Sequence, residues 1–449
     1  MKRIFRGLVT ALVWLGIWYA VAYFVDADYL FPMPHRVLGT LFTLALKSDF
    51  WLSAGMSLLN VFSGLALGTL LGVVFAVLSA MSEQLHTFLS PLSSVIKATP
   101  VASFILIALV MLDKAMVPSF IATLIVIPSV WKSVATGIRE TDRELLEMSG
   151  AFRMNRLNVL RFVYLPSVMP HFRSAVLTGA GMAWKAGIAA EVICSPKGTI
   201  GYFLYRSKIY FETPELFART LTVILLSMIL ERLISFLLSA KRRRKIPGHF
   251  GKATYIKSEK GDIVAEGIKK EFEEKNVLDG FSYNFKYGEN YAIMGASGVG
   301  KSTLWRILSG LDTPTSGKIQ VPKGKISFVF QENRLLEGTC LMNILALGVE
   351  KAEALGYLDL VGLAGEEETR VSELSGGMAR RLSLARALAF GGDVFMMDEP
   401  FSGLDEATAG DMAELIRRET EGKLLICVTH NRNCAEILGA NIVNIDKTQ

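Results

Sequence analysis

Long apolar stretches fill the first part of the chain and are missing from the second part. The stretches lie at 8–25, 58–80, 101–111, 116–134, 174–193 and 216–238. Several approach the roughly 20 residues that a helix needs to cross the hydrocarbon core of a membrane. From residue 258 onward, charged residues are frequent and no such stretch occurs. The pattern predicts a helical membrane domain of about six spans at 1–245, a linker at 246–257 and a polar domain at 258–449.

Basic residues predict the orientation of the membrane domain. Lys2, Arg3 and Arg6 precede the first apolar stretch, and the basic run 241–245 follows the last one. Because basic residues are enriched on the cytoplasmic side of spans, both ends of the domain and the arginine-rich loop at 139–173 are expected in the cytoplasm. We therefore expect a multi-pass protein of the inner or plasma membrane whose polar domain is cytoplasmic.

The same basic residues account for the charge of the chain. The net charge of +6 is attributed to membrane orientation, and the run 241–245 to an anchor near anionic membrane lipid, so no nucleic-acid partner is expected. A cleaved signal peptide is the alternative for the N-terminus, because Ala20-Val21-Ala22 follows a basic and an apolar segment. The apolar segment continues past this point through Phe24-Val25, which favours a retained span.

A phosphate-binding sequence opens the polar domain. Residues 295–302 read Gly-Ala-Ser-Gly-Val-Gly-Lys-Ser and follow an apolar run, which predicts a strand, a glycine-rich turn and a helix start. Backbone N–H groups and the helix dipole would then face an anion. Lys301 is expected to reach the β- and γ-phosphates of ATP, and the Ser302 hydroxyl to be a Mg²⁺ ligand. The candidate nucleotide-binding residues of this loop are Gly295, Ser297, Gly298, Gly300, Lys301, Ser302 and Thr303.

Two adjacent carboxylates follow another apolar run about a hundred residues later. The apolar segment 394–397 leads directly into Asp398 and Glu399. A buried strand would deliver both side chains to the carboxyl edge of a sheet, where ligands bind. Asp398 is the candidate Mg²⁺ ligand, and Glu399 is the candidate general base that polarises the attacking water. Together with the phosphate loop, the pair predicts an ATP-hydrolysing domain.

A third motif, Leu374-Ser-Gly-Gly-Met378, lies between these two and precedes a helical pattern at 380–389. With these motifs, residues 258–449 resemble the α/β P-loop ATPase domain of ATP-binding cassette (ABC) transporters. The resemblance implies that Ser375, Gly376 and Gly377 contact the γ-phosphate held by the opposite subunit. Met378 departs from the family's usual glutamine, which bears on side-chain contacts and rate more than on the phosphate contacts.

Four further residues acquire roles from the same resemblance. Gln331 is implied to touch Mg²⁺ or the lytic water and to contact the membrane domain, and His430 to contact the γ-phosphate. Asp405 is implied to join the two ATP sites, and Phe272 to stack on adenine. Taken alone, each residue type is more often structural. Their shared order along the chain supports the set.

The membrane domain decides which kind of ABC transporter the chain resembles. The segment Asp142-Arg-Glu-Leu-Leu-Glu147, leading to Val163-Tyr-Leu-Pro166, resembles the coupling segment of bacterial importer permeases. Its helix is implied to dock into the ATPase near Gln331, with Glu144 and Glu147 as coupling residues. Exporter half-transporters are the main alternative, but their membrane domains are longer and extend far into the cytoplasm.

Two further expectations concern the apolar contacts of the coupling segment and the position of its turn. Leu157 and Leu160 lie three residues apart and are expected to form apolar contacts with the ATPase. When the ending Leu165-Pro166 is aligned with the family, the usual glycine falls on Arg153, and Gly150 nearby offers an alternative position for the turn.

Two other segments, 31–37 and 183–191, resemble permeases for sulfonates, taurine, nitrate and related small anions. The implied cargo is a small polar, anionic solute, and a pyrimidine or vitamin precursor is the alternative within the same permease group. Lys185 and Glu191 are ionisable residues inside an apolar stretch and are therefore candidates for the translocation path. A structural contact is the alternative for Lys185, and a gate or packing role for Glu191.

One chain carries one membrane domain and one ATPase, whereas the family's ATP sites form between two ATPases. The resemblance therefore implies a homodimer that uses ATP and Mg²⁺ and that receives a small-molecule solute from a separate extracytoplasmic binding protein. The expected function is ATP-driven import of that solute. An exporter half-transporter is the alternative, and the coupling segment argues against an ATPase that is merely anchored to the membrane.

Overall fold

The computed structural model describes residues 2–27, 29–239, 260–272 and 275–445, and the chain divides into two compact units. The membrane unit comprises Met1–Glu140 and Ser167–Arg243, and the cassette unit comprises Thr141–Pro166 and Arg244–Gln449. The segment 141–166 therefore belongs to the cassette unit, although it lies between membrane helices in the sequence. The predicted linker at 246–257 lies outside the described residues.

Helices build the described part of the membrane unit and the segment 141–166. In chain order they are α1 (Lys2–Val25), α2 (Pro34–Ala45), α3 (Ser48–Met81), α4 (Glu83–Ala98), α5 (Val101–Met111), α6 (Val117–Arg139), α7 (Arg143–Ala151), α8 (Arg156–Val159), α9 (Leu165–Cys194), α10 (Ile200–Ile209) and α11 (Thr213–Ser239). A π-helical turn, Leu160–Tyr164, joins α8 to α9.

The helices recognisable as membrane spans in the described part of the chain number fewer than the predicted six. Among the described residues, four helices are long and apolar enough to cross a membrane: Ser48–Met81, Val117–Arg139, Arg156–Cys194 and Thr213–Leu238. The predicted third span corresponds to α5, which has 11 residues and can contribute a fifth span only together with α4, from which it is bent by 104°. The break lies at Thr99-Pro100, because a proline holds the preceding residue in an extended conformation and ends the helix there. The described apolar part of α1, Leu12–Val25, is shorter than a span.

Glycines let α3 and α6 approach closely in the membrane unit. Gly64, Gly68 and Gly72 recur every four residues along α3, and a Cβ atom on each would lie 2.5, 2.8 and 3.1 Å from a backbone oxygen of α6. Small residues at this spacing favour packing between membrane helices. Trp131 of α6 also donates its indole N–H to Ser79 Oγ of α3 over 2.8 Å. These two helices form the centre of the unit.

The cassette unit is an α/β structure, as predicted. Its strands are β1 (Ile263–Phe272), β2 (Lys275–Phe285), β3 (Asn290–Met294), β4 (Ser316–Gln320), β5 (Ile326–Val329), β6 (Val394–Asp398), β7 (Leu424–Val428) and β8 (Asn441–Asn444). Its remaining α-helices are α12 (Lys301–Leu308), α13 (Cys340–Leu345), α14 (Lys351–Leu360), α15 (Gly376–Phe390), α16 (Glu406–Glu419) and α17 (Arg432–Ile437).

The strands form two sheets with different roles. An antiparallel sheet has the order β2-β1-β4, and a parallel sheet has the order β5-β6-β7-β3-β8. Every residue of β6 and β7 is buried, which explains why both strands read as continuous apolar runs. The carboxyl ends of the parallel strands meet at one edge, where α/β folds bind ligands.

Candidate functional site

The carboxyl edge of the parallel sheet brings together the predicted catalytic residues. The phosphate loop follows β3 and Gln331 follows β5, while Asp398 ends β6 and His430 follows β7 by two residues. Because β5, β6, β7 and β3 are successive neighbours in the sheet, the loops that carry these residues lie side by side. Residues separated by more than a hundred positions in the sequence thus share one edge.

The phosphate loop has the backbone conformation that its glycines permit. Gly298 and Gly300 have φ angles of 78° and 104°, which strain any other residue. Gly300 is the N-cap of α12, so that helix begins at Lys301. The Lys301 ammonium is buried and donates to the carbonyl oxygens of Gly295 and Ala296 over 2.9 and 2.8 Å.

The side chains around the loop differ in exposure. Ser297 is exposed at the tip of the loop, while Ser302 and Thr303 are half-buried in the first turn of α12. A helix N-terminus with free backbone N–H groups is an anion-binding site. The predicted nucleotide-binding loop therefore has the geometry of one.

Asp398 and Ser302 fit a Mg²⁺ ion. Asp398 is 4 % exposed, and its Oδ1 has no hydrogen-bond partner among the described residues. Burial raises the pKa of Asp398 to about 6, although a hydrogen bond with Ser302 opposes the rise. A buried, unpaired carboxylate oxygen beside a hydroxyl is the oxygen donor set that Mg²⁺ takes, and substrate phosphates supply further ligands in such sites. The described residues contain no cluster of three or more His, Cys, Asp or Glu side chains that could hold a metal by themselves.

Glu399 and His430 face each other across the ends of β6 and β7. His430 Nε2 lies 3.3 Å from Glu399 Oε1. Glu399 has a φ of 48°, and its N–H donates to the carbonyl oxygen of Val428 over 2.9 Å. A non-glycine residue in this region costs about 1–2 kcal/mol, and such strain persists where the surrounding structure holds it, often at functional sites. The backbone of Glu399 is thus held at the carboxyl edge of the sheet, with its carboxylate beside His430.

The signature sequence forms the start of α15. Ser375 is the N-cap, and its hydroxyl accepts from the N–H of Met378 over 3.3 Å. Ser375 and Gly376 are exposed, while Gly377 and Met378 are half-buried. The predicted phosphate-contacting atoms of the signature are thus accessible from outside the chain.

Three other predicted residues have mixed surroundings. Asp405 is the N-cap of α16, and its carboxylate accepts from the N–H and the hydroxyl of Thr408 over 2.9 and 2.7 Å. Gln331 is exposed in the loop after β5. Phe272 is the last residue of β1, and its side chain lies outside the described part of the structure.

Two buried arginines of α15, which no sequence motif had indicated, bind the loops of this edge. Arg380 donates to the backbone of the loops that follow β5 and β6. Arg386 donates to the carbonyl oxygens of Asn333 and Arg334 over 3.1 and 2.6 Å. Burial lowers the pKa of Arg380 to about 10 and that of Arg386 to about 9, so both remain charged at neutral pH. The signal was the presence of arginines within a helix whose neighbouring residues are apolar.

Glu147 attaches the segment 141–166 to the edge of the nucleotide site. It accepts from Arg334 Nη1 over 2.7 Å and from Arg306 Nη1 over 3.3 Å, with a further contact to Arg306 Nη2. Arg306 belongs to α12, which begins at the phosphate loop, and Arg334 follows Gln331 by three residues. Partial burial alone would raise the pKa of Glu147, but hydrogen bonds and positive charge from both arginines outweigh it and hold the pKa below its usual range. Glu144 lies farther away, 3.8 Å from Arg334 Nε, and is half exposed.

Apolar residues of the same segment enter the cassette core. Met148, Phe152, Phe162 and Val163 are buried in the hydrophobic cluster of the cassette unit, and Leu145 and Leu146 pack against it. The ring centroid of Phe152 lies 5.9 Å from that of Phe328 and 5.0 Å from that of Phe390, both edge-on.

The expected contacts of Leu157 and Leu160 are wrong, because these side chains are 71 % and 58 % exposed. Asn158 is buried between them and donates to the carbonyl oxygen of Ala346 over 2.8 Å. The prediction assumed a regular helix, but α8 has only four residues and a π-helical turn follows it, so the usual spacing of one helix face does not apply.

The turn after α7 does not shift to Gly150. The N–H of Arg153 donates to the carbonyl oxygen of Gly150 and the N–H of Met154 to that of Ser149, each over 2.9 Å. This pair of bonds is a Schellman motif, which requires a left-handed residue and usually has glycine there. Arg153 occupies that position with a φ of 47°. The family's glycine position is therefore kept, with an exposed arginine in it.

The two ionisable residues of α9 have different environments. Glu191 is fully buried within the membrane unit and accepts from Ser57 Oγ over 2.6 Å, Asn60 Nδ2 over 3.0 Å and the N–H of Gly201 over 3.2 Å. These contacts join α9 to α3 and α10 and agree with the packing alternative. Lys185 is exposed on α9.

Two protein families match this chain. The family described as "ABC transporter" matches residues 278–402, and the family described as "Binding-protein-dependent transport system inner membrane component" matches residues 68–245. A solved structure of a dimeric bacterial ABC transporter cassette is 28 % identical, with a TM-score of 0.39, and covers 41 % of this chain and 94 % of that one.

Curated relatives match the cassette part. The aliphatic sulfonates import ATP-binding protein SsuB 3 of Paraburkholderia xenovorans is 39 % identical over 40 % of this chain and 75 % of the relative. The taurine import ATP-binding protein TauB of Pseudomonas aeruginosa is 37 % identical over 41 % of this chain and 78 % of the relative. The lipoprotein-releasing system ATP-binding protein LolD of Nitratidesulfovibrio vulgaris is 40 % identical over 39 % of this chain and 89 % of the relative.

The cassette relatives include import and release systems, so the permease match identifies the direction of transport. Both family matches, one in the cassette and one mainly in the membrane unit, lie in the same chain. The chain belongs to the ABC transporters and combines, in one polypeptide, a binding-protein-dependent permease domain with an ATP-hydrolysing cassette that drives import.

Proposed function

We propose that two copies of this chain form an importer that moves a small anionic solute, of the sulfonate, taurine or nitrate kind, into the cytoplasm. The observation that carries the proposal is the position of Glu147. This permease residue binds Arg306 at the phosphate-loop helix and Arg334 beside Gln331, so a movement of the nucleotide edge reaches the membrane helices that flank the segment 141–166.

The exposure of the signature supports a homodimer. Ser375 and Gly376 are accessible at the start of α15, whereas the phosphate loop lies at the edge of the parallel sheet after β3. In a homodimer, Ser375–Met378 of one copy would complete the site of the other. Each site would then combine that signature with Lys301, Ser302, Gln331, Asp398, Glu399 and His430 of the partner chain.

The proposed roles within each site combine the family resemblance with the geometry of the described residues. Lys301 and the N–H groups at the start of α12 bind the phosphates, and Asp398 and Ser302 hold Mg²⁺, which neutralises phosphate charge when bound. Glu399 accepts a proton from the attacking water, and His430 orients that carboxylate and senses the terminal phosphate. Asp405 and Gln331 lie on the exposed surface, where they would meet the second chain and the lytic water. Phe272 would stack on adenine.

The anionic cargo is supported by the relatives and by one charge. Two of the similar cassettes are named for the import of aliphatic sulfonates and of taurine, and Lys185 is an exposed cation on α9, where it would favour an anion in the translocation path. The solute would arrive on a separate extracytoplasmic binding protein, and the cassettes would work on the cytoplasmic side of the inner or plasma membrane.

The test is ATP hydrolysis by the full chain in lipid nanodiscs, with each binding protein encoded in the same genome and a panel of sulfonates, oxyanions and pyrimidines. We expect one loaded binding protein to stimulate hydrolysis, and Glu399→Gln to abolish the stimulated and the basal rate. Stimulation by a pyrimidine instead of an anion would refute the cargo class. If no binding protein changes the rate of ATP hydrolysis and lipophilic compounds raise it, binding-protein-dependent import is refuted.

A further inference from the structure

Arg380 contacts the two loops that carry the predicted water-activating residues. It lies in α15 and is 2 % exposed. Its guanidinium donates to backbone carbonyl oxygens on both loops, namely those of Phe330 (2.6 Å), Gln331 (3.2 Å), Asp398 (2.7 Å), Glu399 and Pro400 (3.2 Å). A further bond goes to Asn333 Oδ1 over 3.3 Å. All three guanidinium nitrogens, which together carry five N–H donors, are thus used on these loops.

The contacts fix backbone and leave functional side chains free. Arg380 binds the carbonyl oxygens of Gln331 and Glu399, so the amide of one and the carboxylate of the other remain available. Glu399 also has a strained φ of 48°, which persists only while neighbouring groups hold it. Its N–H is held by Val428, and its carbonyl oxygen is held by Arg380. A planar fork is needed to reach both loops at once, and a lysine ammonium cannot reproduce it.

The position of Arg380 along α15 adds a third element. It follows the signature N-cap Ser375 by five residues in the same helix. A shift of the exposed signature therefore moves Arg380, and Arg380 moves both loops through their carbonyl oxygens. The described contacts join the signature helix, the loop after β5 and the loop after β6 into one hydrogen-bonded body.

We propose that Arg380 is a positioning residue that makes the signature helix, Gln331 and Glu399 move together, so that ATP contacted by a chain's signature sets the hydrolytic geometry of that chain's own site. The inference rests on the proposed roles of Ser375, Gln331 and Glu399. It predicts that Arg380 affects the rate of hydrolysis and the cooperativity between two sites, and that it has little effect on ATP binding to the phosphate loop.

The experiment compares Arg380→Lys with Arg381→Lys in the full chain in nanodiscs. Arg381 is the matched control, because it is the next residue of the same helix and also donates to carbonyl oxygens, those of Val361 and Gly362 over 2.8 and 2.7 Å. These acceptors lie after α14 and away from the nucleotide edge. Both variants keep the charge and lose the fork.

We expect Arg380→Lys to lower kcat by about tenfold or more, because small misplacements of catalytic groups have effects of this size. Its Kd for ATP should stay within about threefold of the wild-type value, and its Hill coefficient for ATP should fall towards one. Arg381→Lys should leave all three within about twofold. An unchanged kcat in Arg380→Lys, or equal losses in both variants, would overturn the proposal. Loss of ATP binding in proportion to kcat would also overturn it, since a purely structural role has that effect.

Three further measures keep the test decisive if Arg380→Lys yields little folded protein. Rates are normalised to titrated ATP-binding sites, and Arg380→Gln, which retains two donors, is measured in parallel. In the wild type, hydrogen exchange at 331–334 and 399–401 should slow together when a non-hydrolysable ATP analogue binds, and independent responses of the two loops would contradict the proposal. If the Glu399→Gln variant hydrolyses ATP as fast as the wild type, the proposed function of the site is refuted instead.

Discussion

The substitution Glu147→Gln tests whether the ion pairs of α7 hold the permease segment on the cassette. It keeps the size of the side chain and removes the charge that Arg306 and Arg334 share. Hydrogen bonds to charged groups contribute about 1.5–3 kcal/mol each. Because Glu147 is 24 % exposed and Arg306 is 36 % exposed, the lower end applies. Arg334 is 6 % exposed and retains weaker ion-pair contacts to Glu144 and Glu332, at 3.8 and 3.6 Å, and a cation–π contact with Phe330.

These terms combine to a loss of about 2–3 kcal/mol in the attachment of α7, or roughly 30- to 150-fold in its local opening equilibrium. Hydrogen exchange of the amides at 143–151 reads this opening directly, because exchange from a locally opened state follows its free energy. Basal ATP hydrolysis should persist, since the phosphate loop, Asp398 and Glu399 are untouched. Stimulation by the loaded binding protein should fall together with the protection of α7.

Glu144→Gln is the control, because Glu144 is half exposed and 3.8 Å from Arg334 Nε. An exposed ion pair of this kind contributes about 0–1 kcal/mol, so exchange at α7 should change by less than about fivefold. Wild-type exchange and wild-type stimulation in Glu147→Gln would contradict a role of these ion pairs in holding α7. An equal effect of Glu144→Gln would also contradict it, since the loss would then come from net charge.

Three other expectations concern single residues. Arg153→Gly should slow hydrogen exchange at 150–156, because it removes about 1 kcal/mol of left-handed strain, and Arg153→Val should accelerate it. Burial raises the pKa of Asp398 to about 6, so protons compete with Mg²⁺ for this carboxylate below that pH. The Mg²⁺-dependent part of the ATP affinity should therefore fall by roughly tenfold per pH unit below 6 and stay level above it. The Asp398→Asn variant should show no such pH dependence. Glu191→Leu leaves Ser57 and Asn60 without their buried acceptor and should lower the thermal stability of the membrane unit by about 1–3 kcal/mol, with Glu191→Gln, which still accepts a hydrogen bond, closer to the wild type.

The sequence predicted the parts of the site that depend on contiguous residues. The phosphate loop and the Asp398-Glu399 pair each follow an apolar strand, and the parallel sheet brings them to one edge. Arg306, Arg334 and Arg380 were not predicted, because their partners are backbone oxygens or a carboxylate far away in the sequence, and an isolated arginine has no local pattern that reports such a partner.

The membrane unit shows a different limit of sequence interpretation. Its apolar stretches were located, but the stretch 101–111 is too short to span a membrane alone, and within the described residues it is joined to α4 only through a 104° bend at Thr99-Pro100. Leu157 and Leu160 were assigned to a buried face by regular helical spacing, and the π-helical turn at Leu160–Tyr164 invalidates that spacing. Local backbone irregularities of this kind depend on tertiary contacts.

The inclusion of the segment 141–166 in the cassette unit has a consequence for the architecture of the gene product. Side-chain contacts at Phe152 and Glu147 hold the segment 141–166 within the cassette unit independently of the peptide linkage near 246–257. A chain divided at that linkage should reassemble from two co-expressed polypeptides, because the contacts do not depend on the covalent bond. The fusion then ensures that both domains are made in equal amounts. It also keeps each domain at a high effective concentration near the other, which favours assembly when expression is low.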